Sequence, residues 1–370
     1  MKVLFISRAT LFTVRGGDTS QIVNTALYLE KLGVQADVRL CDETIDYRGY
    51  DLIHFFNVIR PADILKHIER SGKPYVITPI FVDYSEYDRT IRKGMTGFVL
   101  RWLSPDGLEY VKAIARLLVN GEKLVSPSYL WLGQRRSIRK ILSRAEMILP
   151  NSNSELSRLR ARYNGNAPAR IIPNAIDPSV FTIDGDTAGR GTGKKESREG
   201  DLVISVGRIE GLKNQLNLVR ALNGTRYRLI LIGSPAPNHK AYYEECRKIA
   251  EANISFVDHI EQKELAGYYS RANVHVLPSW FETTGLSSLE AAAMGCNLVI
   301  TDKGDAREYF EDYAWYCDPA SPASIFEAVE KAAACEFREA LREKVFAQYT
   351  WPHTAERTLG AYQEIINRSN

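Results

Sequence analysis

The stretch Ser279–Thr301, SWFETTGLSSLEAAAMGCNLVIT, shows how this chain is built. The apolar run Val274–Pro278 comes before it and predicts a strand, Gly285–Met294 has the composition of a helix, and Asn297–Thr301 predicts the next strand. A strand, a helix and a second strand in this order form the unit from which parallel sheets are made. The stretch therefore predicts an α/β fold with a parallel sheet.

The same alternation fills both halves of the chain. Short runs rich in Val and Ile recur, each followed by a helix-like stretch, which is typical of strands covered by helices on both faces. In the first half these runs are Lys2–Ser7, Gln35–Leu40, Asp51–Asn57, Tyr75–Ile80 and Met147–Pro150. In the second half they are Leu202–Gly207, Arg228–Gly233, Ile254–His259, Val274–Pro278 and Asn297–Thr301. Two doubly wound, Rossmann-like domains are the predicted architecture.

The domain boundary is expected in the middle of the chain. A length of 370 residues exceeds what a single hydrophobic core covers. The stretch Asp184–Gly200, DGDTAGRGTGKKESREG, is charged and rich in Gly, and it predicts a mobile loop or linker. We predict an N-terminal domain of residues 1–170, completed by a C-terminal helix at 352–370, and a C-terminal domain of residues 171–351. After Tyr316 the chain is expected to be helical to its end.

Composition excludes several classes of protein. A net charge of +3 is too small for a nucleic-acid binder. The five cysteines are odd in number and far apart, so they predict neither a metal cluster nor a disulfide framework, and a cytoplasmic setting fits them best. Met1–Ser7 leads directly into a strand without the features of a signal peptide, and no apolar run is long enough to span a bilayer.

One segment departs from the alternation of strands and helices. Arg89–Arg144 contains twelve Lys or Arg against three acids, with Trp and Leu between them. This pattern predicts an insertion of basic amphipathic helices. Such helices dock on anionic membrane headgroups, or they form a solvated surface, and the sequence leaves both readings open.

A loop before the helix in the opening stretch is a candidate anion site. Thr283, Thr284, Gly285 and Leu286 lie where a helix begins, and the free N–H groups of a helix N-terminus bind anions. Glu290 is the only charged side chain within Thr283–Thr301. A buried, unpaired carboxylate costs several kcal/mol, about 3–5, so Glu290 needs hydrogen-bond donors such as ribose hydroxyls, unless it lies on a solvent-exposed face.

A second candidate site follows the first strand of the C-terminal half. In Ser205–Leu222, SVGRIEGLKNQLNLVRAL, the strand ends at Gly207, and Arg208 and Lys213 stand on the loop before the next helix. Two fixed cations there can hold a diphosphate and offset the charge that develops as it leaves. By themselves, an Arg and a Lys at this spacing are usually surface residues.

The pair Glu282 and Glu290, with seven residues between them and Gly285-Leu286 in place, resembles the family-four retaining glycosyltransferases. That family has the GT-B fold, two Rossmann-like domains that face each other across a cleft. The resemblance implies that Glu282 lies beside the donor sugar and that Glu290 binds the nucleotide ribose. The family also has an Arg and a Lys in the context of Arg208 and Lys213, which gives Arg208, Lys213 and Glu282 as catalytic candidates. Thr284 stands where the commoner version of the motif has Phe.

Two further segments share this resemblance. IIPNAID, Ile171–Asp177, is similar to the family's entry segment between domains, where Asn174 would help to line the cleft. Gly16 and Gly17 match the family's N-terminal glycine loop, and their small size lets the backbone approach a phosphate or acceptor closely. A Gly pair alone is as typical of a plain turn.

Two residues are candidates for the acceptor side. His54 lies at a strand end where the family often has His, although a lone His in a strand is more often structural. Asp83 is the ionisable group near the position where many relatives have a later His. Asp184 and Asp186 resemble a metal-binding carboxylate pair only superficially, because they lie in the predicted loop. We therefore predict no metal and no cofactor, with the nucleotide sugar as substrate.

The resulting hypothesis is a cytoplasmic, metal-independent hexosyltransferase. It moves a sugar from a nucleoside diphosphate sugar to a glycan or lipid-linked acceptor with retention of configuration, in the synthesis of a surface polysaccharide, and it works in part at a membrane surface. Two alternatives remain open at this point. A nucleotide-sugar epimerase can have the same architecture, and a non-catalytic nucleotide-sugar-binding protein would need only the donor site.

Overall fold

The computed structural model describes residues 1–84, 87, 104–119, 126–182 and 198–369. It divides into two compact units, one made of residues 1–174 and 351–370 and the other of residues 175–350. The predicted boundary at residue 170 lies four residues from this division. The predicted C-terminal helix belongs to the first unit.

The first unit contains a parallel sheet with the strand order β2-β1-β3-β4-β5. Its strands are β1 Lys2–Ser7, β2 Gln35–Leu40, β3 Leu52–Phe56, β4 Tyr75–Thr78 and β5 Met147–Ile148. Its helices, numbered over the described residues, are α1 Gly17–Lys31, α2 Pro61–Ser71, α3 Pro105–Val119, α4 Ser128–Arg144, α5 Asn153–Tyr163 and α13 Trp351–Ser369. All five predicted strands are confirmed. They could be predicted because runs such as LIHFF are buried along their whole length.

The second unit contains a parallel sheet with the order β11-β10-β9-β6-β7-β8. Its strands are β6 Glu199–Val206, β7 Arg228–Ile232, β8 Ile254–Val257, β9 Ala272–Leu277, β10 Asn297–Thr301 and β11 Ala314–Cys317. Its helices are α6 Gln215–Leu222, α7 Lys240–Ile249, α8 Gln262–Arg271, α9 Leu286–Ala293, α10 Ala306–Phe310, α11 Pro322–Ala333 and α12 Glu339–Gln348. The five predicted strands are again confirmed.

Two details of the second unit correct the sequence-based expectations. β11 was not predicted, because it is a short edge strand whose AWYC run is mostly half-buried and lacks the Val and Ile of the central strands. The predicted loop Asp184–Gly200 ends too late, since β6 already begins at Glu199, which pairs with Ala272. The rest of that loop, apart from Arg198, lies outside the described residues.

The C-terminal helix α13 is fixed to the first unit by polar contacts at two positions. The hydroxyl of Tyr362 and Nδ1 of His54 are 2.6 Å apart, and Arg170 donates to Glu364 at 2.6 Å.

Within the described ranges, no helix is both long and apolar enough to cross a membrane.

The predicted basic segment Arg89–Arg144 is described only in part. Its described residues are helical in α3 and α4, whereas residues 89–103 and 120–125 lie outside the described part of the chain. Five of its basic residues lie in these two ranges: Arg89, Arg92, Lys93, Arg101 and Lys123.

Candidate active site

The carboxyl ends of three adjacent strands of the second unit bring distant segments together. β10, β9 and β6 are neighbours in the parallel sheet, so the segments that follow them leave the same edge. In open parallel sheets this edge is where ligands bind. The candidates Arg208, Lys213 and Glu282 all lie on these segments.

Lys213 and Glu282 form the central contact at this edge. Lys213 ends a 3-10 turn at Gly211–Lys213, and its Nζ donates to Oε1 of Glu282. Ser279 donates to the same oxygen at 2.6 Å. The two charged side chains are 22% and 9% exposed, respectively, so the ion pair is largely shielded but open on the Lys213 side. Two predicted residues, 69 positions apart in sequence, are thus brought into direct contact.

The backbone of Glu282 is held by the segment after β10. Its N–H donates to the carbonyl of Lys303 at 3.2 Å, and its own carbonyl accepts from the N–H of Asp305 at 2.8 Å. Between these contacts Gly304 has φ +91, and a Cβ atom there would lie 2.1 Å from the Glu282 carbonyl oxygen. Only Gly fits this close approach. In the sequence, the turn signal Lys-Gly-Asp after β10 is what marks this segment.

Arg208 is supported by a second close approach of backbones. Gly207 has φ +152, and a Cβ on Gly233 would lie 2.2 Å from the Gly207 carbonyl oxygen, so the ends of β6 and β7 pack tightly. The guanidinium of Arg208 pairs with Glu210 at 3.2 Å. Its carbonyl accepts a hydrogen bond from Gln215 at 2.9 Å. The side chain is 41% exposed and can reach a ligand.

The loop before α9 has the geometry expected of a helix entry. Gly285 is the N-cap residue with φ +73, a left-handed conformation, and α9 begins at Leu286. Thr284 is buried, and its hydroxyl donates to Tyr309 at 3.3 Å, whereas Thr283 is half-buried. Thr284 therefore stabilises the loop from inside.

Glu290 lies on α9 in a low-dielectric setting. Burial raises the pKa of its carboxyl to about 8. The hydroxyl of Tyr269 donates to its Oε2 at 3.1 Å, which offsets part of that effect. The expectation that this carboxylate has a hydrogen-bond donor is met by a side chain of α8. These surroundings favour the uncharged form of the Glu290 carboxyl.

His275 is a residue that sequence analysis did not single out. It is fully buried on β9, and neither ring nitrogen has a hydrogen-bond partner within the described residues. Burial, and secondly the charge of Lys213, lower the pKa of its imidazole to about 3, so the ring is neutral. Its ring packs edge-on against Tyr269, with 5.9 Å between ring centroids. The alternation NVHVL gave no signal beyond that of an ordinary buried strand.

In the first unit, Gly16 and Gly17 lie at the start of α1 as predicted. Gly16 is the N-cap residue in an extended conformation, and its N–H donates to Thr19 Oγ1 at 3.1 Å. The preceding loop is tied down by Arg8, which donates to Asp18 at 2.6 Å and to the carbonyl of Val14 at 2.7 Å. Because the Gly16 conformation is open to any residue, small size is what Gly contributes there.

Asp83 lies in a segment after β4 that is held by a buried carboxylate. Glu155 is fully buried and accepts from the N–H of Phe81 and from the N–H of Asn151, each at 2.6 Å. Ile80 has φ +46, a conformation that is costly for a β-branched residue. Such strain is typical of functional loops, and Asp83 itself is half-buried.

His54, predicted as an acceptor-side candidate, is held inside the first unit. Its side chain is buried, with Nδ1 2.6 Å from the hydroxyl of Tyr362 and Nε2 2.8 Å from that of Thr78. Burial lowers the pKa of the ring to about 3, which keeps it neutral. Both ring nitrogens thus have hydrogen-bond partners inside the first unit, which favours a structural role. Asn174 is buried at the end of the first unit, next to Pro173, whose carbonyl accepts from Thr354 at 2.8 Å.

Across the described ranges, no group of three or more His, Cys, Asp or Glu is placed to hold a metal ion. Asp184 and Asp186 lie outside these ranges. Metal independence thus remains a prediction.

The fold is that of the GT-B glycosyltransferases. Sucrose-phosphate synthase from Thermosynechococcus elongatus matches with a TM-score of 0.75 at 18% identity, over 99% of both chains. HepE from Anabaena, in complex with UDP and glucose, matches with a TM-score of 0.67 at 14% identity, over 98% of this chain and 100% of that one. The predicted fold class is confirmed by these likenesses.

Residues 192–348, which lie mostly in the second unit, match the model of the family described as "Glycosyl transferases group 1". The D-inositol 3-phosphate glycosyltransferase of Stackebrandtia nassauensis is 27% identical over 252 residues, 62% of this chain and 56% of that protein. That of Acidothermus cellulolyticus is 25% identical over 247 residues, 61% of this chain and 55% of that protein. The chain thus spans about half the length of these curated relatives. The predicted resemblance to this family is confirmed.

Proposed function

We propose that this protein is a retaining glycosyltransferase that moves a sugar from a nucleoside diphosphate sugar to a glycan or lipid-linked acceptor. The observation that carries the proposal is the Lys213–Glu282 ion pair at the carboxyl edge of the sheet in the second unit. The strands of this sheet lie within the residues that match the glycosyl transferases group 1 model. A fixed ammonium beside a fixed carboxylate is the arrangement needed where a diphosphate leaves next to a sugar.

On the donor side, Lys213 and Arg208 offset the negative charge that develops on the leaving diphosphate. Each is held by a carboxylate, Lys213 by Glu282 and Arg208 by Glu210, so neither cation has to be reoriented when the donor arrives. The backbone N–H groups around Gly285 and Leu286 add a helix N-terminus to the same charge. Glu282, fixed by its backbone contacts to 303–305, stands beside the donor sugar.

Glu290 is proposed to bind the ribose of the nucleotide. Its carboxyl keeps one oxygen bonded to Tyr269, which leaves the other oxygen for a hydroxyl group. Three structures of HepE contain UDP or UDP-glucose, so uridine nucleotides are the first donors to test here.

The acceptor side is proposed for the first unit, in the loops of Gly16–Gly17 and Asp83. The absence of a metal requirement, the retention of configuration and a role in surface polysaccharide synthesis belong to the same proposal. It also includes a cytoplasmic location with contact to the inner face of the membrane, supported by the basic residues of α3 and α4. Phosphorylated polyols are an acceptor class worth including, because curated relatives are named for D-inositol 3-phosphate.

The test of the donor site is a thermal-shift series with UDP, GDP, ADP and CMP, each with and without EDTA. A ligand at about 100 times its Kd stabilises the folded state by roughly 2.7 kcal/mol. We expect one nucleoside diphosphate to raise the Tm in the presence of EDTA. The shift should be lost in Glu290→Ala and kept in Glu327→Ala, an exposed Glu on α11 that serves as the matched control.

The reaction is then tested with sugars carried by the nucleotide that binds. Transfer to an acceptor with a retained anomeric signal in NMR supports the proposal, and an inverted signal contradicts the retaining mechanism. An epimerised nucleotide sugar formed without acceptor would identify an epimerase. Binding with no product across glycan, lipid-linked and phosphorylated polyol acceptors would identify a binding protein.

A further inference from the structure

Helix α4 is interrupted in its middle at Gly133. This residue has φ 65 and ψ −178, which is not helical, so Ser128–Leu132 and Gln134–Arg144 form two separate helical pieces. A positive φ at this position favours Gly, although open space surrounds the site of a Cβ atom. The backbone conformation at Gly133, and not contact with neighbouring atoms, therefore accounts for Gly at this position.

A cavity of about 460 Å³ lies at this break. Its walls come from α3 and from both pieces of α4, and its polar lining is dominated by arginines. The residues that line it are Asp106, Gly107, Tyr110, Leu132, Gly133, Gln134, Arg135, Arg136 and Arg139. A concave surface with three guanidinium groups concentrates positive potential.

The charges of this cavity do not cancel among themselves. Its one carboxylate, Asp106, is already paired with Arg162 at 3.0 Å and accepts from the hydroxyl of Tyr163 at 2.8 Å. No carboxylate in the described part of the chain pairs with Arg135, Arg136 or Arg139, and all three are exposed. The cavity therefore presents three unneutralised guanidinium groups, and guanidinium is the side chain suited to bind phosphate through two hydrogen bonds.

Two lysines of α3 and α4 differ from these three arginines. Lys140 pairs with Glu69 at 2.7 Å, and Lys112 pairs with Glu109 at 2.7 Å. The charges of these two lysines are offset by neighbouring carboxylates, unlike those of the arginines that line the cavity.

Two exposed apolar side chains stand immediately before the break. Trp131 is 89% exposed and Leu130 is 42% exposed. A Trp ring left in water gains none of the free energy of burial, whereas its indole is favourable at the boundary between lipid headgroups and acyl chains. A free phosphate in the cavity would leave this Trp unexplained, and a membrane surface accounts for both features.

We propose that the cavity at the Gly133 break binds the phosphate of an anionic lipid headgroup, with Trp131 entering the membrane interface beside it. This proposal names the residues that make the membrane contact, and it rests on the membrane contact included in the proposed function. It assigns the contact to Arg135, Arg136 and Arg139 and not to the basic segment as a whole.

The experiment is cosedimentation of the full chain with vesicles of phosphatidylcholine, alone or with phosphatidylglycerol, at about 0.1 M salt, where surface charges act over about 10 Å. The test variant is Arg135→Gln/Arg136→Gln/Arg139→Gln. The matched control is Lys240→Gln/Lys248→Gln/Lys263→Gln, which removes three exposed charges from the second unit. The wild type and the control should bind only the anionic vesicles, and the test variant should bind them roughly 100-fold more weakly, since each basic residue near such a surface contributes about fivefold.

Trp131→Ala should lower vesicle binding about 10-fold or more while leaving the salt dependence of binding intact. Equal binding by the wild type and the arginine variant overturns the proposal, as does absence of binding by the wild type. A Tm increase with inorganic phosphate that needs the three arginines, without vesicle binding, would identify a free-anion site and also overturn it. The nucleotide thermal shift is run on the same variants; its failure in all of them, with vesicle binding kept, would reject the donor-site proposal and leave this one standing.

Discussion

Gly304→Ala should impair catalysis although Gly304 is not part of the Lys213–Glu282 ion pair. Gly304 lies against the backbone of Glu282, where a Cβ atom would be 2.1 Å from the carbonyl oxygen and 3.0 Å from the carbonyl carbon. Ordinary contacts of this kind begin at 3.4 Å. The segment 303–305 and Glu282 must therefore separate by roughly 1 Å, and a displacement of that size at a reacting group lowers turnover by about 100-fold.

The cost in stability has two parts that can be separated. A non-Gly residue at φ +91 costs about 1–2 kcal/mol from its backbone conformation. The clash with Glu282 adds about 1–3 kcal/mol, as overpacking usually does. Gly33→Ala shares the positive φ, +80, and meets nothing within 4 Å, so it measures the first part alone.

The assay combines the Tm, the Kd of the nucleoside diphosphate that binds and the turnover of its sugar. Gly304→Ala should have a lower Tm than Gly33→Ala, a Kd close to that of the wild type because Glu290 is held separately by Tyr269, and a much lower kcat. Gly267→Ala, on an exposed face of α8 with nothing within 4 Å, should leave all three unchanged or raise the Tm. Unchanged kcat in a folded Gly304→Ala protein would refute the positioning of Glu282 by this segment.

Three further substitutions test single contacts. Glu290→Gln should gain stability relative to the wild type as the pH rises from about 4.5 to about 8, because the folded wild type keeps a proton there that its unfolded chain releases; parallel Tm curves across this range would contradict the raised pKa. Tyr362→Phe should cost about 1–3 kcal/mol by leaving Nδ1 of buried His54 unpaired, and a lost nucleotide shift in this variant would argue against a purely structural His54. Glu155→Gln should cost a similar free energy of unfolding in urea, about 1–3 kcal/mol, because an amide nitrogen then faces a backbone N–H; an unchanged value would show that the carboxylate is not needed to hold the loop at Phe81.

Most of the fold could be predicted from local sequence. Ten strands were found from apolar runs because buried parallel strands need continuous Val, Ile and Leu, and this requirement shows in any sequence window. β11 was missed because an edge strand is under no such constraint. The loop residues Gly207 and Gly285 were found in the same way, since Gly punctuates the passage from strand to helix.

The candidate site was predicted only as a set of residues. Lys213 and Glu282 were named separately, but their contact depends on β6 and β9 being neighbours in the sheet, which no local pattern reveals. The same holds for Gly304, which lies against a backbone carbonyl 22 positions earlier, and for His54, which contacts a tyrosine 308 residues away.

The sequence by itself determined the elements, their order and the chemical groups available at each loop, because hydrophobic periodicity and turn residues act over a few neighbours. Only the tertiary structure decided which of these groups meet. In the second unit, strand order brought Lys213 into an ion pair with Glu282 and left His275 neutral and buried. In the first unit, the docking of α13 placed Tyr362 against His54. Contacts of this kind are fixed by the packing of the whole unit, which a short window of sequence does not contain.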